Sequence, residues 1–153
     1  MAEFNVIDEG IINAESSDVY EALLAEYSGK TNWWMPYVES RLIEGNNLSE
    51  PGALLDITVH GTMNIRFTTK TIETINGELW RSQYVGGAFR GEGIWKLETA
   101  NVNTKLSYHW HVRPYGLLLQ IISFIVNIPK RHSDVIKKGF AALNEYLKSQ
   151  GTS

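Results

Sequence analysis

His109 and His111 are the residues whose types and spacing come closest to a metal site. An HxH pair places two imidazoles on one face of a strand, and imidazole is a common ligand of zinc and iron. In this segment, however, Tyr108 and Trp110 occupy the apolar face, so both histidines point outward, where no third ligand is evident. We interpret the pair as part of a solvated strand face and expect no metal and no cofactor.

His132 is the titratable residue best placed for acid–base chemistry. It shares a helical stripe with Ile136, Phe140 and Leu143, and such a stripe should face a sheet. An imidazole that reaches a cavity could act as a general acid or base near neutral pH. The alternative, which we favour, is a hydrogen-bonded histidine with a structural role.

Arg66, Arg81 and Tyr84 offer a second kind of chemistry, because a cationic or hydroxyl donor can stabilise an oxyanion or orient an enol. Arg66 lies between Ile65 and Phe67, and this alternation points it outward. Arg81 and Tyr84 have opposite parity, so at most one of them enters the interior of a regular sheet. We favour surface positions for both arginines. No set of nucleophile, base and orienting acid can be assigned, and no phosphate-binding glycine loop is present.

An alternating pattern in two late segments indicates the wall of a cavity. Odd positions from Phe89 to Leu97 are apolar or small, and Leu106 to Val112 repeat the pattern at even positions. Gly91 and Gly93 interrupt the apolar face, and glycines among large rings leave room unless they serve only to bend the strand. The residues predicted to line a ligand site are Trp34, Phe67, Tyr84, Phe89, Gly91, Gly93, Trp95, Tyr108, Trp110, Phe124, His132 and Phe140.

Turn signals divide the chain into a first strand, a helix, six further strands and a helical end. The first strand runs to Ile12, and the helix SSDVYEALLAEY follows and stops near Gly29. Asn76-Gly77 favours the type I′ turn of a two-residue hairpin and therefore antiparallel pairing of its flanking strands. An antiparallel meander is the simplest arrangement. The further strands are expected at Val38–Glu44, Leu54–His60, Asn64–Ile75, Leu79–Val85, Phe89–Glu98 and Leu106–Val112.

The chain closes with one helical stretch from Leu117 to Leu147. Pro129 can lie in the first turn of a second helix or kink a continuous one, and the sequence leaves both open. The uncharged segment Pro114–Pro129 is too short to be a transmembrane span. We expect it to be buried against the sheet rather than to rest on a membrane, since interfacial helices normally carry a charged face.

Composition limits the functional classes. The 153 residues fit one domain, and a formal net charge of −3 with scattered Lys and Arg argues against a nucleic-acid partner. The absence of cysteine excludes disulfides and thiolate chemistry. The first ten residues lack the apolar stretch of a secretory signal, so we expect a cytoplasmic location.

Five segments together resemble the START-like helix-grip superfamily, also called SRPBCC or Bet v 1-like, and within it bacterial proteins of polyketide cyclase/dehydrase type. They are SSDVYEALL, WWMPYV, GAFRGEGIWKLE, TKLSYHW and RHSDVIKKGFAALNEYL. The resemblance implies an α+β fold in which a curved antiparallel sheet wraps around a long C-terminal helix and encloses a hydrophobic cavity. Lipid and hormone binders, ring-forming enzymes and protein adaptors share that fold, so it decides function poorly.

Three functions stay open. The aromatic face favours carriage or sequestration of a small hydrophobic or aromatic molecule in the cavity. A polyketide cyclase/dehydrase-like enzyme would hold its substrate against the same wall and would need one polar group for proton transfer. An adaptor would have a vestigial cavity and would contact a protein or a membrane through the Pro114–Pro129 segment. An interior without a void would favour the adaptor.

Overall fold

A seven-stranded antiparallel sheet and three helices make up residues 3–151, the part of the chain that the computed structural model describes. The strand order is β1-β7-β6-β5-β4-β3-β2, so β2 to β7 form the predicted meander and β1 joins its far edge by pairing with β7. The elements are β1 (Phe4–Ile12), α1 (Ser16–Tyr27), β2 (Val38–Glu44), β3 (Leu54–Val59), β4 (Ile65–Ile75), β5 (Leu79–Gly87), β6 (Phe89–Ala100), β7 (Asn103–Pro114), α2 (Leu117–Ser123) and α3 (Ile128–Ser149).

The side chains of β6 and β7 alternate between a buried and an outer face, as the sequence predicts. On β7, Leu106, Tyr108, Trp110 and Val112 are all buried, and on β6 the odd positions from Phe89 to Leu97 face the same side. Because neighbouring strands keep their register over twelve residue pairs, the two apolar rows form one continuous surface.

Helix α3 packs against this inner surface. A Cβ atom added at Gly10 of β1 would lie 2.7 Å from the Phe140 ring, so glycine permits the close approach of strand and helix. Asn144 fixes the register, because its side chain donates to the Ile11 carbonyl (3.0 Å) and accepts from the Asn13 amide (2.8 Å). The sheet therefore grips α3 along one side, which is the fold predicted from the sequence.

The hairpin between β4 and β5 is antiparallel as predicted, but its turn type was predicted wrongly. Ile75 pairs with Leu79, so three residues rather than two form the loop. A type I′ turn needs a positive φ at both central residues, and here Gly77 has one (φ 75°) while Asn76 does not. The carbonyl of the extra residue, Glu78, accepts a hydrogen bond from the Leu97 amide of β6.

The helical end consists of two helices and not one. The break falls between Ser123 and Ile128, and the side chain of Asn127 caps α3 by accepting from the Lys130 amide (3.2 Å). Pro129 lies in the first turn of α3, where its missing N–H costs nothing. This decides the alternative that the sequence left open.

The expectation that the Pro114–Pro129 segment is buried was wrong. Leu117, Leu118, Phe124 and Ile125 are between 73% and 83% exposed, because α3 already covers the inner face of the sheet and leaves α2 at its margin. A narrow inward side of the segment, including Ile122, is partly buried. Among residues 3–151, no helix has the length and apolar content needed to cross a membrane.

Candidate functional site

A pocket of about 620 Å³ lies between the inner face of the sheet and helix α3. Residues of β2 to β7 form its walls, and Ile122 of α2 and Val126 of the turn after it close part of it. Eight of the residues predicted from the sequence line it: Trp34, Phe67, Tyr84, Phe89, Trp95, Tyr108, Trp110 and His132.

Four predicted residues do not line the pocket. Phe124 is exposed at the end of α2, outside the sheet. Phe140 is buried, but it lies in the core between Gly10 and Trp95 rather than at the pocket surface. Gly91 and Gly93 are also absent from the lining, which corrects the idea that missing side chains leave room there.

The two glycines serve close packing. Gly91 has a φ of 141°, and a Cβ atom there would overlap the His111 carbonyl on the neighbouring strand. At Gly93, a Cβ atom would overlap the hydroxyl of Tyr108. The space above Gly93 is therefore filled by the tyrosine ring, which reaches across from β7.

The Tyr108 hydroxyl forms a hydrogen bond with the Tyr84 hydroxyl at 2.8 Å, and this buried pair is a polar feature of the pocket wall. Burial raises the pKa of Tyr84 to about 12, although hydrogen bonds from Tyr108 and Trp110 act in the opposite direction. Burial also raises the pKa of Tyr108 well above its usual value. Both hydroxyls therefore stay protonated at neutral pH and can donate hydrogen bonds.

The parity argument for strand β5 correctly separates its two candidate donors. Tyr84 is buried, whereas Arg81 lies on the outer face and pairs with Glu92 at 2.6 Å and Glu73 at 3.4 Å. Arg66 is also outward and lies 3.4 Å from the Asp56 carboxylate. Neither arginine can therefore act inside the pocket.

His132 is held in the pocket wall by stacking. Its ring lies flat on the Trp110 ring, with centroids 3.8 Å apart and an interplanar angle of 5°. Nδ1 is buried, and within residues 3–151 the ring makes no hydrogen bond, so the expected hydrogen-bonded histidine was wrong. Burial lowers the pKa of His132 to about 3, which keeps the imidazole neutral at physiological pH.

Trp34 is positioned by two residues that sequence reasoning missed. The Glu26 carboxylate of α1 accepts hydrogen bonds from the amides of Trp33 (3.0 Å) and Trp34 (2.9 Å). Gly139 lets α3 approach the indole, since a Cβ atom there would lie 2.6 Å from the ring. Glycine within a helix costs stability, and that is the sequence signal that could have indicated a close contact.

Exposed residues from three segments surround the opening of the pocket. They are Tyr37 before β2, the loop 61–63 between β3 and β4, and Arg131 and Lys138 of α3. The Lys138 ammonium lies 4.4 Å from the centre of the Tyr37 ring, so a cation–π contact joins two sides of the opening. The loop 61–63 is the part of the rim that the sequence did not indicate.

The two strand histidines lie outside the pocket, on the outer face of β7. His109 Nε2 is 2.6 Å from the Asn5 side-chain oxygen, and His111 contacts the Glu3 carboxylate. Their rings stack with centroids 6.1 Å apart. This orientation is the one that their parity predicts.

The sequence matches no protein-family profile and no curated protein. Solved structures nevertheless resemble this one over nearly the whole chain. A START superfamily protein from Mycobacterium smegmatis superposes with a TM-score of 0.72 at 13% identity, covering 95% of this chain and 98% of that one. The Zhui aromatase/cyclase from Streptomyces sp. R1128 gives 0.68 at 11% identity over 96% and 94%, and Ara h 8.0201 gives 0.65 at 16% over 97% and 99%.

Identities this low carry no information about which molecule is bound or transformed, because one fold serves many functions. The agreement does cover the seven-stranded sheet, the long C-terminal helix and their order. The protein therefore has the START-like helix-grip fold.

Proposed function

We propose that this protein binds a small, neutral, apolar or aromatic molecule in the pocket, for carriage or sequestration. The observation that carries the proposal is the pocket itself, which measures about 620 Å³ and is lined mainly by aliphatic and aromatic side chains. Small-molecule sites typically have this size and combine an apolar wall with a few polar groups.

The distribution of charge favours a neutral ligand. Arg131, Asp134 and Lys138 line the pocket, but all three are exposed at its opening. Deeper in the wall, the titratable groups are tyrosines whose pKa is raised by burial and His132, whose pKa is lowered. All are neutral at pH 7, so a buried charge on the ligand would have no counter-ion and would cost several kcal/mol or more.

The tyrosine pair specifies one polar feature of the ligand. Tyr84 and Tyr108 each carry one hydroxyl proton, and the hydrogen bond between their oxygens uses only one of the two. The other O–H group can therefore donate to a ligand. A carbonyl or ether oxygen on an otherwise apolar molecule would accept it. The proposed ligand class is therefore a ring-bearing or branched hydrocarbon with one hydrogen-bond acceptor.

Calorimetric titration with two matched probes tests this proposal. We expect 2-acetylnaphthalene to bind more tightly than 2-ethylnaphthalene, by roughly two- to tenfold, since a neutral hydrogen bond is worth about 0.5–1.5 kcal/mol. The double variant Tyr84→Phe/Tyr108→Phe, which removes both hydroxyls, should bind both probes with equal affinity. A preference for the ketone that survives in this variant would contradict the assigned role of the hydroxyl pair.

A second pair of variants tests whether binding occurs in the pocket. Val59 of β3 lines the pocket, so Val59→Trp should narrow it and weaken binding of both probes. Thr58 directly precedes Val59 and faces the other side of the same strand, so Thr58→Trp should leave binding unchanged. Failure of the wild-type protein to bind either probe, or equal binding by Val59→Trp, would refute the proposed function.

An enzyme of polyketide cyclase/dehydrase type is the second candidate, and His132 is the observation that favours it. Its imidazole is neutral and lies in the pocket wall, and because Nδ1 is buried, Nε2 is the nitrogen that could remove a proton α to a ketone while a tyrosine hydroxyl stabilises the enolate. A conjugate acid with a pKa of about 3 makes a weak base, which is why this candidate ranks second. If the wild-type protein accelerates hydrogen–deuterium exchange of a bound 1,3-diketone and His132→Phe does not, the enzyme candidate would be favoured.

A further inference from the structure

The most exposed large apolar side chains of this protein are concentrated in one place. Among residues 3–151, five of them are more than 70% exposed, and four of the five belong to α2 and the turn after it: Leu117, Leu118, Phe124 and Ile125. Together with Tyr115 and Ile121, which are 56% and 49% exposed, they form what we term the α2 surface. A contiguous apolar patch of this kind usually marks an interaction site.

Basic residues flank the α2 surface along the chain. The stretch 99–133 contains four Lys or Arg and no Asp or Glu, although the whole chain has 14 basic and 17 acidic residues. Arg90 lies over the Tyr115 ring at 3.8 Å, and Arg113 is directly opposite Arg90 on the neighbouring strand. Arg131 lies in the first turn of α3, just after the exposed turn.

These three arginines have no carboxylate partner. Within the described part of the chain, none of Arg90, Arg113 and Arg131 forms a salt bridge, whereas Arg41, Arg66 and Arg81 elsewhere on the sheet all do. The three arginines that lack a carboxylate partner are thus the ones that flank the most exposed apolar side chains. Anionic lipid head groups over a hydrocarbon interior present the complementary arrangement.

We infer that the α2 surface docks the protein on an anionic lipid bilayer, with the apolar side chains entering the interface and the arginines contacting lipid phosphates. Helix α2 carries no charge of its own, which argues against an interfacial helix when the sequence is considered alone. The charged groups come instead from β6, β7 and α3, which the fold brings to its margin. Tyr115 beneath Arg90 has the amphipathic character that interfacial aromatic residues require.

Docking would also place the pocket next to the membrane. Ile122 and Val126 belong to the same segment as the α2 surface but line the pocket from its inner side. An apolar ligand could therefore move between bilayer and pocket without crossing bulk water. This ligand transfer rests on the proposed function, but docking on the bilayer does not. Vesicle binding can therefore be measured without any ligand.

Vesicle flotation tests the inference. We expect the wild-type protein to float with vesicles of phosphatidylcholine mixed with phosphatidylglycerol and to bind pure phosphatidylcholine more weakly. The Phe124→Ser/Ile125→Ser variant should lose at least about tenfold in affinity, since two large apolar side chains no longer enter the interface. Val102→Ser is the control for an exposed apolar side chain, because Val102 is 79% exposed but lies in the β6–β7 turn, at the opposite end of β7 from α2.

Charge is tested separately. Arg113→Gln and Arg131→Gln should each weaken binding to the anionic vesicles by about fivefold and should leave binding to phosphatidylcholine unchanged. No flotation with anionic vesicles, or unchanged flotation of Phe124→Ser/Ile125→Ser, would overturn the inference. So would sedimentation that shows a dimer of the wild-type protein which this double variant abolishes, because the α2 surface would then be covered by a second copy of the chain.

Discussion

The pocket wall and the α2 surface are both apolar and aromatic, yet they meet different environments. Trp110 of the wall is 1% exposed, whereas Phe124 of the α2 surface is 83% exposed. On β7, every second side chain faces the inner side of the sheet, where His132 of α3 stacks on Trp110. Because α3 occupies the inner face of the sheet, no apolar surface of the sheet remains against which α2 could pack. Apolar content makes exposure costly, but a second element must be available before burial can follow.

Truncation in the two regions should show the largest difference. Trp110→Ala should lower the free energy of unfolding by about 3–5 kcal/mol, because it removes a fully buried ring and leaves a cavity. Phe124→Ala should change it by less than about 0.5 kcal/mol. Urea unfolding of both variants measures the contrast, and a similar loss in each would mean that the α2 surface is buried in solution.

Two glycines with positive φ sharpen the comparison. Gly91→Ala combines backbone strain at φ 141° with a clash against β7, and should cost about 3 kcal/mol. Gly116, before α2, has a φ of 96° and open space around it, so Gly116→Ala should cost only the strain, about 1–2 kcal/mol. Thermal unfolding followed by circular dichroism compares them. Equal losses would show that the close contact at Gly91 contributes nothing.

The pH dependence of stability should come from the pocket wall. Above pH 6.5 the His132 ring is neutral in both the folded and the unfolded chain, so it adds no pH dependence. Below pH 6.5 the unfolded chain takes up a proton that the folded ring, with a pKa lowered to about 3 by burial, does not bind. The free energy of unfolding should therefore fall as the pH falls from 6.5 towards 3.

At pH 5 the loss should be roughly 1–2 kcal/mol, since the ring is partly open to the pocket and water there weakens the effect. His132→Phe keeps the stack on Trp110 and removes the proton-binding group. Urea unfolding at pH 7 and pH 5 should show a smaller difference for this variant than for the wild-type protein. Identical differences would assign the pH dependence to other groups.

Removal of single hydroxyls should have the smallest effect. Tyr84→Phe should cost about 1 kcal/mol, because the Tyr108 hydroxyl loses its partner in a buried environment. Tyr115→Phe, at the 56% exposed ring beside α2, should cost less than about 0.5 kcal/mol. Chemical denaturation can resolve the two values. A neutral Tyr84→Phe variant would indicate that water in the pocket replaces the lost hydrogen bond.

The strand pattern allowed much of the fold to be predicted. The two-residue period of β6 and β7 correctly placed Trp95, Tyr108 and Trp110 inside and His109 and His111 outside, because a pleated strand leaves only two directions for a side chain. The pocket was predicted less well. Gly93 was taken as empty space, although the ring of Tyr108 on the next strand fills it.

Long-range contacts explain the remaining errors. Phe124 was expected in the pocket and Pro114–Pro129 against the sheet, and neither position could be judged without knowing that α3 already occupies the inner face. The roles of Glu26 and Gly139 depend on contacts with Trp34, which lies 8 and 105 residues away along the chain. Hydrophobic periodicity reports which face of an element is apolar, but not which partner covers it.

By itself, the sequence determined the strands, their inner faces and the amphipathic stripe of α3, since these follow from local periodicity and turn residues. Tertiary structure decided which apolar faces found a partner: it paired Tyr84 with Tyr108, stacked His132 on Trp110 and left the α2 surface in water. The physical reason is that burial and pKa shifts depend on the distance to groups far along the chain, and only the packed sheet and helix set those distances.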